Sequence, residues 1–280
     1  MIILKSTIEL NDWFIENINE LVENMGFVPT MGALHMGHAS LIEKASRECQ
    51  IVVVSILVNP TQFNEKADLE SYPRDLDNDV IVAEKAGATI LFTPTPKDIY
   101  GGTPYAEPVD YGLITSTFEG LSRQGHFDGV VSVVDKLFLA VKPNRAYFGS
   151  KDLQQLAVVE KMSSERHPKI KIVSCDLIRD ENGLALSSRN IRLSDAGILV
   201  AQNISQELQK VAERVKEGRD MIDSVEIAKK KLKNVEGLEL EYMSGVNDKT
   251  FSISTENRGW SHIIIAARVE GVRLIDNIEL

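Results

Sequence analysis

The sequence predicts an α/β fold: a Rossmann-like, doubly wound parallel sheet followed by a smaller C-terminal α+β domain. Three observations carry this. Ile51 to Val58 is β-branched and almost wholly apolar, which suits a strand buried on both faces of a parallel sheet. Strand-like and helix-like segments alternate over the first two-thirds of the chain, the pattern of repeated β-α-β units. Near Ile178 the alternation gives way to amphipathic helices and then to strand-like runs. The expected division is 1–177 and 178–280.

Taken in order, Phe27 to Thr30 is a short apolar strand, and His38 to Glu48 carries Leu41, Ile42 and Ala45 on one helical face. With Ile51 to Val58 these make one βαβ unit. Asn78 to Ala86 reads as helix and Ala88 to Thr93 as strand. Arg123 to Gly129 is a polar loop, and Val130 to Val141 a helix that stops before Pro143. Arg145 to Phe148 reads as strand, Asp152 to Met162 as helix and Ile170 to Val173 as strand. Beyond these, Ile204, Leu208, Val211 and Val215 form an amphipathic stripe. Ser194 is placed to cap that helix and Asp220 to cap the next, Met221 to Lys233. Leu238 to Met243, His262 to Val269 and Val272 to Ile275 are strand-like, with turn material after Met243 and a tight hairpin at Gly271.

Composition excludes several classes. Of 280 residues, 43% are hydrophobic and 26% charged, ordinary values that rule out disorder. The formal charge of −10 argues against a primary nucleic-acid binder. Two cysteines, Cys49 and Cys175, make no disulfide framework and read as small buried thiols in a reducing compartment. No apolar run approaches a membrane span or a signal peptide, so the expectation is a cytoplasmic protein with no membrane partner.

The chemistry concentrates in turns at the carboxyl ends of expected strands, where open α/β sheets bind ligands. Met31-Gly32-Ala33-Leu34-His35-Met36-Gly37-His38 joins a strand to a helix. Its glycines let backbone come close to a ligand, and the helix start offers N–H groups to an anion. His35 and His38 can donate hydrogen bonds to phosphate oxygens. Read as zinc ligands they lack a third partner nearby. Asn59 and Gln62, after the strand at 51–58, are neutral groups suited to hydroxyls or a carboxylate. Gly149, Ser150, Lys151 and Asp152 open a helix, with Lys151 as a point charge for phosphate and Gln155 one turn on. Arg123 and His126 could reach an anion. Leu186, Ser187, Ser188 and Arg189 form a flexible loop near the domain boundary, able to cover a nucleotide's phosphates.

His-x-Gly-His matches the signature of nucleotidylyltransferases and class I aminoacyl-tRNA synthetases. Several further blocks narrow the likeness: Asn-Pro-x-Gln-Phe from Asn59, Tyr72-Pro73-Arg74, Gly125-His126-Phe127, Val130 to Lys142, Lys-Asp-x-Gln-Gln from Lys151, Ser187-Ser188-Arg189-Asn190, and Arg273-Leu274-Ile275-Asp276-Asn277. In this order, and over nearly the whole chain, they resemble the pantothenate synthetase (pantoate–β-alanine ligase) family. Ser150 stands where that family commonly has Glu, and Leu186 where it commonly has Met.

The resemblance implies a two-step reaction. Pantoate and ATP give pantoyl adenylate and pyrophosphate, and β-alanine then displaces AMP to give pantothenate. It implies His38 as proton donor, with His35 and Lys151 also catalytic. Met31 to His38, Gly149 to Asp152, Ile178 and Leu186 to Arg189 would line the ATP site. Gln62 and Gln155 would hold pantoate, with Asn59, Arg123 and His126 as further substrate candidates. Mg²⁺ would accompany ATP through phosphate oxygens and water; its protein ligands are unassigned, Asp77 and Asp79 included. A homodimer is implied, and closure of the second domain over the ATP site. The runner-up is another adenylate- or cytidylate-forming enzyme of the same superfamily, which leaves the Asn-Pro-x-Gln and Gln-Gln blocks unexplained. An RNA-binding module derived from a tRNA synthetase conflicts with the acidic charge. A catalytically dead nucleotide sensor conflicts with the retained histidines, Lys151 and glutamines.

Overall fold

The computed structural model describes residues 1–17, 24–252 and 259–280. The chain forms two compact units, one of residues 1–150 and 158–176, the other of 151–157 and 177–280. The segment Lys151–Ala157, which sequence places in the first domain, therefore belongs to the second unit.

In the first unit, β1 (Ile2–Leu4), β2 (Met25–Thr30), β3 (Ile51–Ile56), β4 (Ile90–Phe92), β5 (Arg145–Gly149) and β6 (Lys171–Cys175) form one sheet. The order is β1-β4-β3-β2-β5-β6, and every described pairing is parallel. Around it run α1 (Thr7–Glu16), α2 (Met36–Glu48), α3 (Lys66–Glu70), α4 (Leu76–Lys85), α5 (Pro96–Tyr100), α6 (Leu113–Ser116), α7 (Glu119–Ser122) and α8 (His126–Val141). α9 (Leu153–Arg166) follows β5. Strands β2 and β3 carry the buried Phe27, Val28, Val52, Val53 and Val54. Ile42 and Ala45 of α2 pack on this core, as their spacing predicts. The winding runs from β2 outward through β3 to β4, then returns to β5 on the other side of β2. The switch point of the sheet thus lies between β2 and β5, and the loops after those strands are where a ligand belongs.

The second unit has α10 (Asp195–Lys216), α11 (Met221–Leu232) and an antiparallel sheet of β7 (Leu238–Val246), β8 (His262–Val269) and β9 (Val272–Glu279). Ser194 and Asp220 cap their helices as expected, accepting from the Gly197 and Asp223 amides. Ile204, Leu208 and Val211 pack with Leu232, Ile265 and Ala267 in one core. The β8–β9 hairpin turns on Glu270 and Gly271, both at positive φ. Of the turn material expected after Met243, residues 253–258 lie outside the described ones.

Several boundaries differ from expectation for physical reasons. α8 begins at His126 rather than Val130, since Gly129 does not break it. A Cβ at Gly129 would sit 2.4 Å from the Thr61 carbonyl oxygen, so glycine is what lets this helix approach the 60–62 turn. β9 runs on to Glu279 because Asp276 and Asn277, which interrupt the apolar pattern, are buried with hydrogen-bonding partners. Both cysteines are buried and free, and burial pushes the Cys175 thiol up to about 11.

Candidate active site

The loop from β2 to α2 is fixed almost atom by atom. Thr30 Oγ1 donates to the Ser55 carbonyl at 2.7 Å and accepts from the Gly32 amide at 3.1 Å. The chain then turns through Gly32 (φ 81) and Ala33 (φ 51). His35 is the N-cap of α2 in extended conformation. Its Nδ1 accepts from the Gly37 amide at 3.1 Å, and His38 Nδ1 accepts from the His35 amide at 3.3 Å. The His38 amide also donates to the His35 side chain, closing a capping box made of two imidazoles. Their ring centroids are 4.1 Å apart.

This geometry decides the tautomers. A neutral ring whose Nδ1 accepts carries its proton on Nε2. Both histidines therefore present Nε2–H as a donor. The sequence suggests that the amides of the helix start meet an anion directly; instead the amides of Gly37 and His38 are taken up by His35. The donor character of the helix end passes through the rings, each polarised by the amide behind it.

A second polar group follows β3. Pro60–Gln62 is a 3₁₀ turn capped by Asn59. Asn59 is 1% exposed. Its Oδ1 accepts from Thr61 Oγ1 (3.0 Å) and Tyr100 OH (2.9 Å), and its Nδ2 donates to Gln62 Oε1 and to the Gly129 carbonyl, both at 3.1 Å. These bonds tie Asn59 to the Gln62 side chain and to the Gly129 carbonyl. The Gln62 amide is thereby oriented, its Nε2 donating to Met31 Sδ at 3.2 Å.

Arg123 and His126 support the same residue. Arg123 Nη1 lies 3.0 Å from His126 Nε2 and 3.5 Å from Glu119 Oε2. A guanidinium can only donate, so His126 Nε2 accepts, and its Nδ1–H donates to the Gln62 carbonyl at 2.8 Å. His126 opens α8 rather than lying in a loop, and it is buried with both ring nitrogens in use. It braces the backbone of Gln62.

Gly149 and Ser150 stand at the carboxyl end of β5, beside β2 in the sheet. Lys151 and Asp152 then lie in a 3₁₀ turn before α9 rather than in its first turn. Lys151 Nζ is 3.9 Å from Asp152 Oδ1, and the Lys151 carbonyl accepts from Asn277 Nδ2 at 3.0 Å. Gln155 is half-buried in the first turn of α9.

In the second unit, Ile178 and Leu186 are joined by a backbone bond at 3.0 Å, closing a hairpin around Gly183 (φ 87). Asp180 Oδ1 accepts from the Asn182 and Leu184 amides. Arg179 forks onto both Asp276 oxygens at 2.7 and 2.8 Å, anchoring this hairpin to β9. Ser187 Oγ accepts from the Arg189 amide at 3.2 Å, so Ser187, Ser188 and Arg189 share one turn.

Sequence reasoning misses Asp79, Tyr100, Glu119, Arg179 and Asp276. Each acts on a residue at least four positions away, and most act across elements. In the sequence Asp79 stands out only beside Asp77 as an unassigned metal ligand; its partners, Ala33 and Leu34, lie 46 and 45 residues back.

Comparison with known proteins fits this geometry. The family model for pantoate-beta-alanine ligase matches residues 2–279. The pantothenate synthetase of Cytophaga hutchinsonii is 44% identical over 91% of each chain. That of Bacteroides fragilis is 42% identical, over 92% of this chain and 91% of its own. A crystal structure of pantothenate synthetase from Thermus thermophilus aligns with a TM-score of 0.92 at 37% identity, covering 100% of this chain and 99% of that one. The pantoate-beta-alanine ligase of Francisella tularensis, crystallised with beta-gamma ATP and beta-alanine, aligns at 0.82 and 35% identity over 100% and 97% of the two chains.

Proposed function

This chain belongs to the pantoate–β-alanine ligase family, and from that premise we propose how its own residues divide the reaction. The enzyme joins pantoate to β-alanine with ATP as co-substrate, through pantoyl adenylate.

In the first step a pantoate carboxylate oxygen attacks the α-phosphorus of ATP. The bond to the bridging oxygen breaks and pyrophosphate leaves with the electron pair. The nucleophile is already ionised near neutral pH, so no general base is needed. The obstacles are repulsion between anions and charge growing on the α-phosphoryl oxygens, which call for positioning and aimed donors. His35 and His38 supply Nε2–H donors to those oxygens, with His38 as proton donor. Lys151 supplies a point charge. Gln62 and Gln155 orient pantoate; Asn59, Arg123 and His126 serve the substrate site by holding Gln62. Met31 to His38, Gly149 to Asp152, Ile178 and Leu186 to Arg189 contact ATP; Mg²⁺ would come with the nucleotide and would help neutralise the phosphate charge. In the second step the β-alanine amine attacks the acyl carbon, loses a proton, and AMP departs.

The observation that carries this reading is the paired imidazole cap, which fixes two N–H donors at the switch point of the sheet. The test is exchange of labelled pyrophosphate into ATP. It should require pantoate but not β-alanine, whereas AMP release should require both. Exchange without pantoate, or none with it, would overturn the adenylate route for this chain.

The proposal extends to closure of residues 178–280 over bound nucleotide, to a homodimer, and to the cytoplasm. Among the described residues no helix is long and apolar enough to cross a membrane. Amide exchange across 182–190 should slow when ATP and pantoate are added together; unchanged exchange counts against closure.

A further inference from the structure

We propose that Asp79 is a positioning residue for adenylate formation. Its carboxylate clamps the Ala33 and Leu34 amides and so sets the His35–His38 pair. The proposal rests on the roles given above to those histidines.

The turn after β2 puts two residues in succession into the left-handed region, and the second, Ala33, has a Cβ that disfavours it. Such a backbone persists only where its surroundings over-determine it. Here they do so amide by amide. The Gly32 amide goes to Thr30 Oγ1, Ala33 to Asp79 Oδ2 at 3.0 Å, Leu34 to Asp79 Oδ1 at 2.6 Å, and His35 to His38 Nδ1. Four consecutive amides are thus each held by a side chain. Asp79 supplies the middle two from α4, whose own start is capped by Asp75.

Asp79 is 1% exposed. Its hydrogen-bonding partners among the described residues are those two amides. Burying a carboxylate without a cation is unfavourable, and this task explains its presence. Two amides from adjacent residues need two acceptor oxygens on one short side chain. A carboxylate is acceptor-only on both oxygens, whereas asparagine would turn an NH₂ toward one of the donors. The fit is tight: a Cβ at Gly32 would lie 2.8 Å from Asp79 Oδ2 and 3.0 Å from Ile56 Cγ2. A side chain at Gly32 would push against the carboxylate, so glycine there is what lets the loop come within reach of both Asp79 oxygens.

The experiment compares Asp79→Asn with the parent enzyme. Pantoate-dependent pyrophosphate exchange should fall by about 10–100-fold in kcat, the scale of a partly misaligned donor set, while KM for pantoate stays within about twofold of the parent. Nitrogen chemical shifts of the two imidazoles should report Nδ1 as acceptor in the parent and a mixed tautomer population in the variant. A general loss of packing would not produce that signature. Parent-like exchange in a folded Asp79→Asn enzyme, or unaltered imidazole shifts, would overturn the proposal. Should the variant not fold, amide exchange in the parent decides: Ala33 and Leu34 should be protected at least as well as Gly37, and free exchange at both rejects the clamp. A parent enzyme that lacks pantoate-dependent exchange but shows protected amides and Nδ1 acceptors fails the functional reading and leaves the clamp standing.

Discussion

The two ends of the parallel sheet each hold a carboxylate that ties neighbouring elements together, and they do it in opposite ways. At the amino ends Glu48, the last residue of α2, accepts from Arg145 at 2.8 Å and from Tyr147 OH at 3.0 Å. It has a cation, a hydroxyl and partial access to solvent, with a side chain 33% exposed. At the carboxyl ends Asp79 is buried, and among the described residues its carboxylate's hydrogen-bonding partners are backbone amides. Burial raises Asp79 above the ordinary carboxylate value, and its two amide bonds only partly offset that. Burial works against Glu48 too, but the Tyr147 and Arg145 hydrogen bonds outweigh it and hold Glu48 below the ordinary value. The first acid joins strand to helix and is content as an anion. The second is buried at the expense of its charged form, and its two amide bonds hold a loop in a shape that loop would not otherwise keep.

The sharpest way to break this comparison is to remove the donors that the carboxyl-end loop presents. His38→Ala or His35→Ala should slow single-turnover adenylate formation by about 10²–10³-fold while ATP still binds. Both variants also lose part of the cap, so a stability loss of about 0.5–2 kcal/mol should accompany them. His35→Asn separates the effects, since asparagine caps well but places no N–H where Nε2 lies. It should recover the stability and not the rate. An Ala variant that forms adenylate at the parental rate makes that histidine purely structural.

A smaller effect is expected at the neighbouring substrate group. Gln62→Ala should weaken pantoate use by about 1–3 kcal/mol, the range for a lost buried hydrogen bond, with ATP affinity little changed. Equal weakening of both ligands would contradict its assignment to pantoate.

The smallest effect sharpens the contrast between the two acids, because their linkage to pH has opposite sign. Glu48, lowered from 4.5, contributes stability that is present above that value and is lost as pH falls through its folded pKa. Asp79, raised from 3.8, contributes stability present below that value and lost as pH rises through its folded pKa, with the Asp75 charge adding to the rise. Against the parent, Glu48→Gln should lose stability at pH 7 and converge with it in acid. Asp79→Asn should gain on the parent as pH rises from about 3 to about 7. Denaturant melts across that range report both, and parallel curves would abolish the distinction.

What is legible in the sequence follows the same division. β3 and the α2 face can be read because burial on both sides writes itself as an unbroken apolar run or a helical stripe. β1, with three residues and two of them exposed, leaves no such trace. The end of β9 is hidden because Asp276 looks like a surface residue until Arg179, 97 positions away, is seen beside it. In the candidate site, His35, His38 and Gln62 can be picked out as proposed ligand-facing groups because their spacing is local. Asn59 and His126 stand out in the sequence, but the kind of work they do does not, since their partners Tyr100 and Arg123 decide which of their atoms are spoken for. Asp79 draws notice only beside Asp77, and nothing local points to its work on the loop, because what it serves is a pair of amides, and amides are the same in every residue.

The second unit is not a cassette. Its segment Lys151–Ala157 is threaded out of the middle of the first unit, and its tie to β9 runs from Asn277 to the main-chain oxygen of Lys151. A recombination event near residue 177 between two distant relatives would therefore inherit β9 from one parent and the lysine segment from the other. Because that tie reads a carbonyl and not a side chain, it constrains where the chain passes at 151 and leaves the choice of side chain there open.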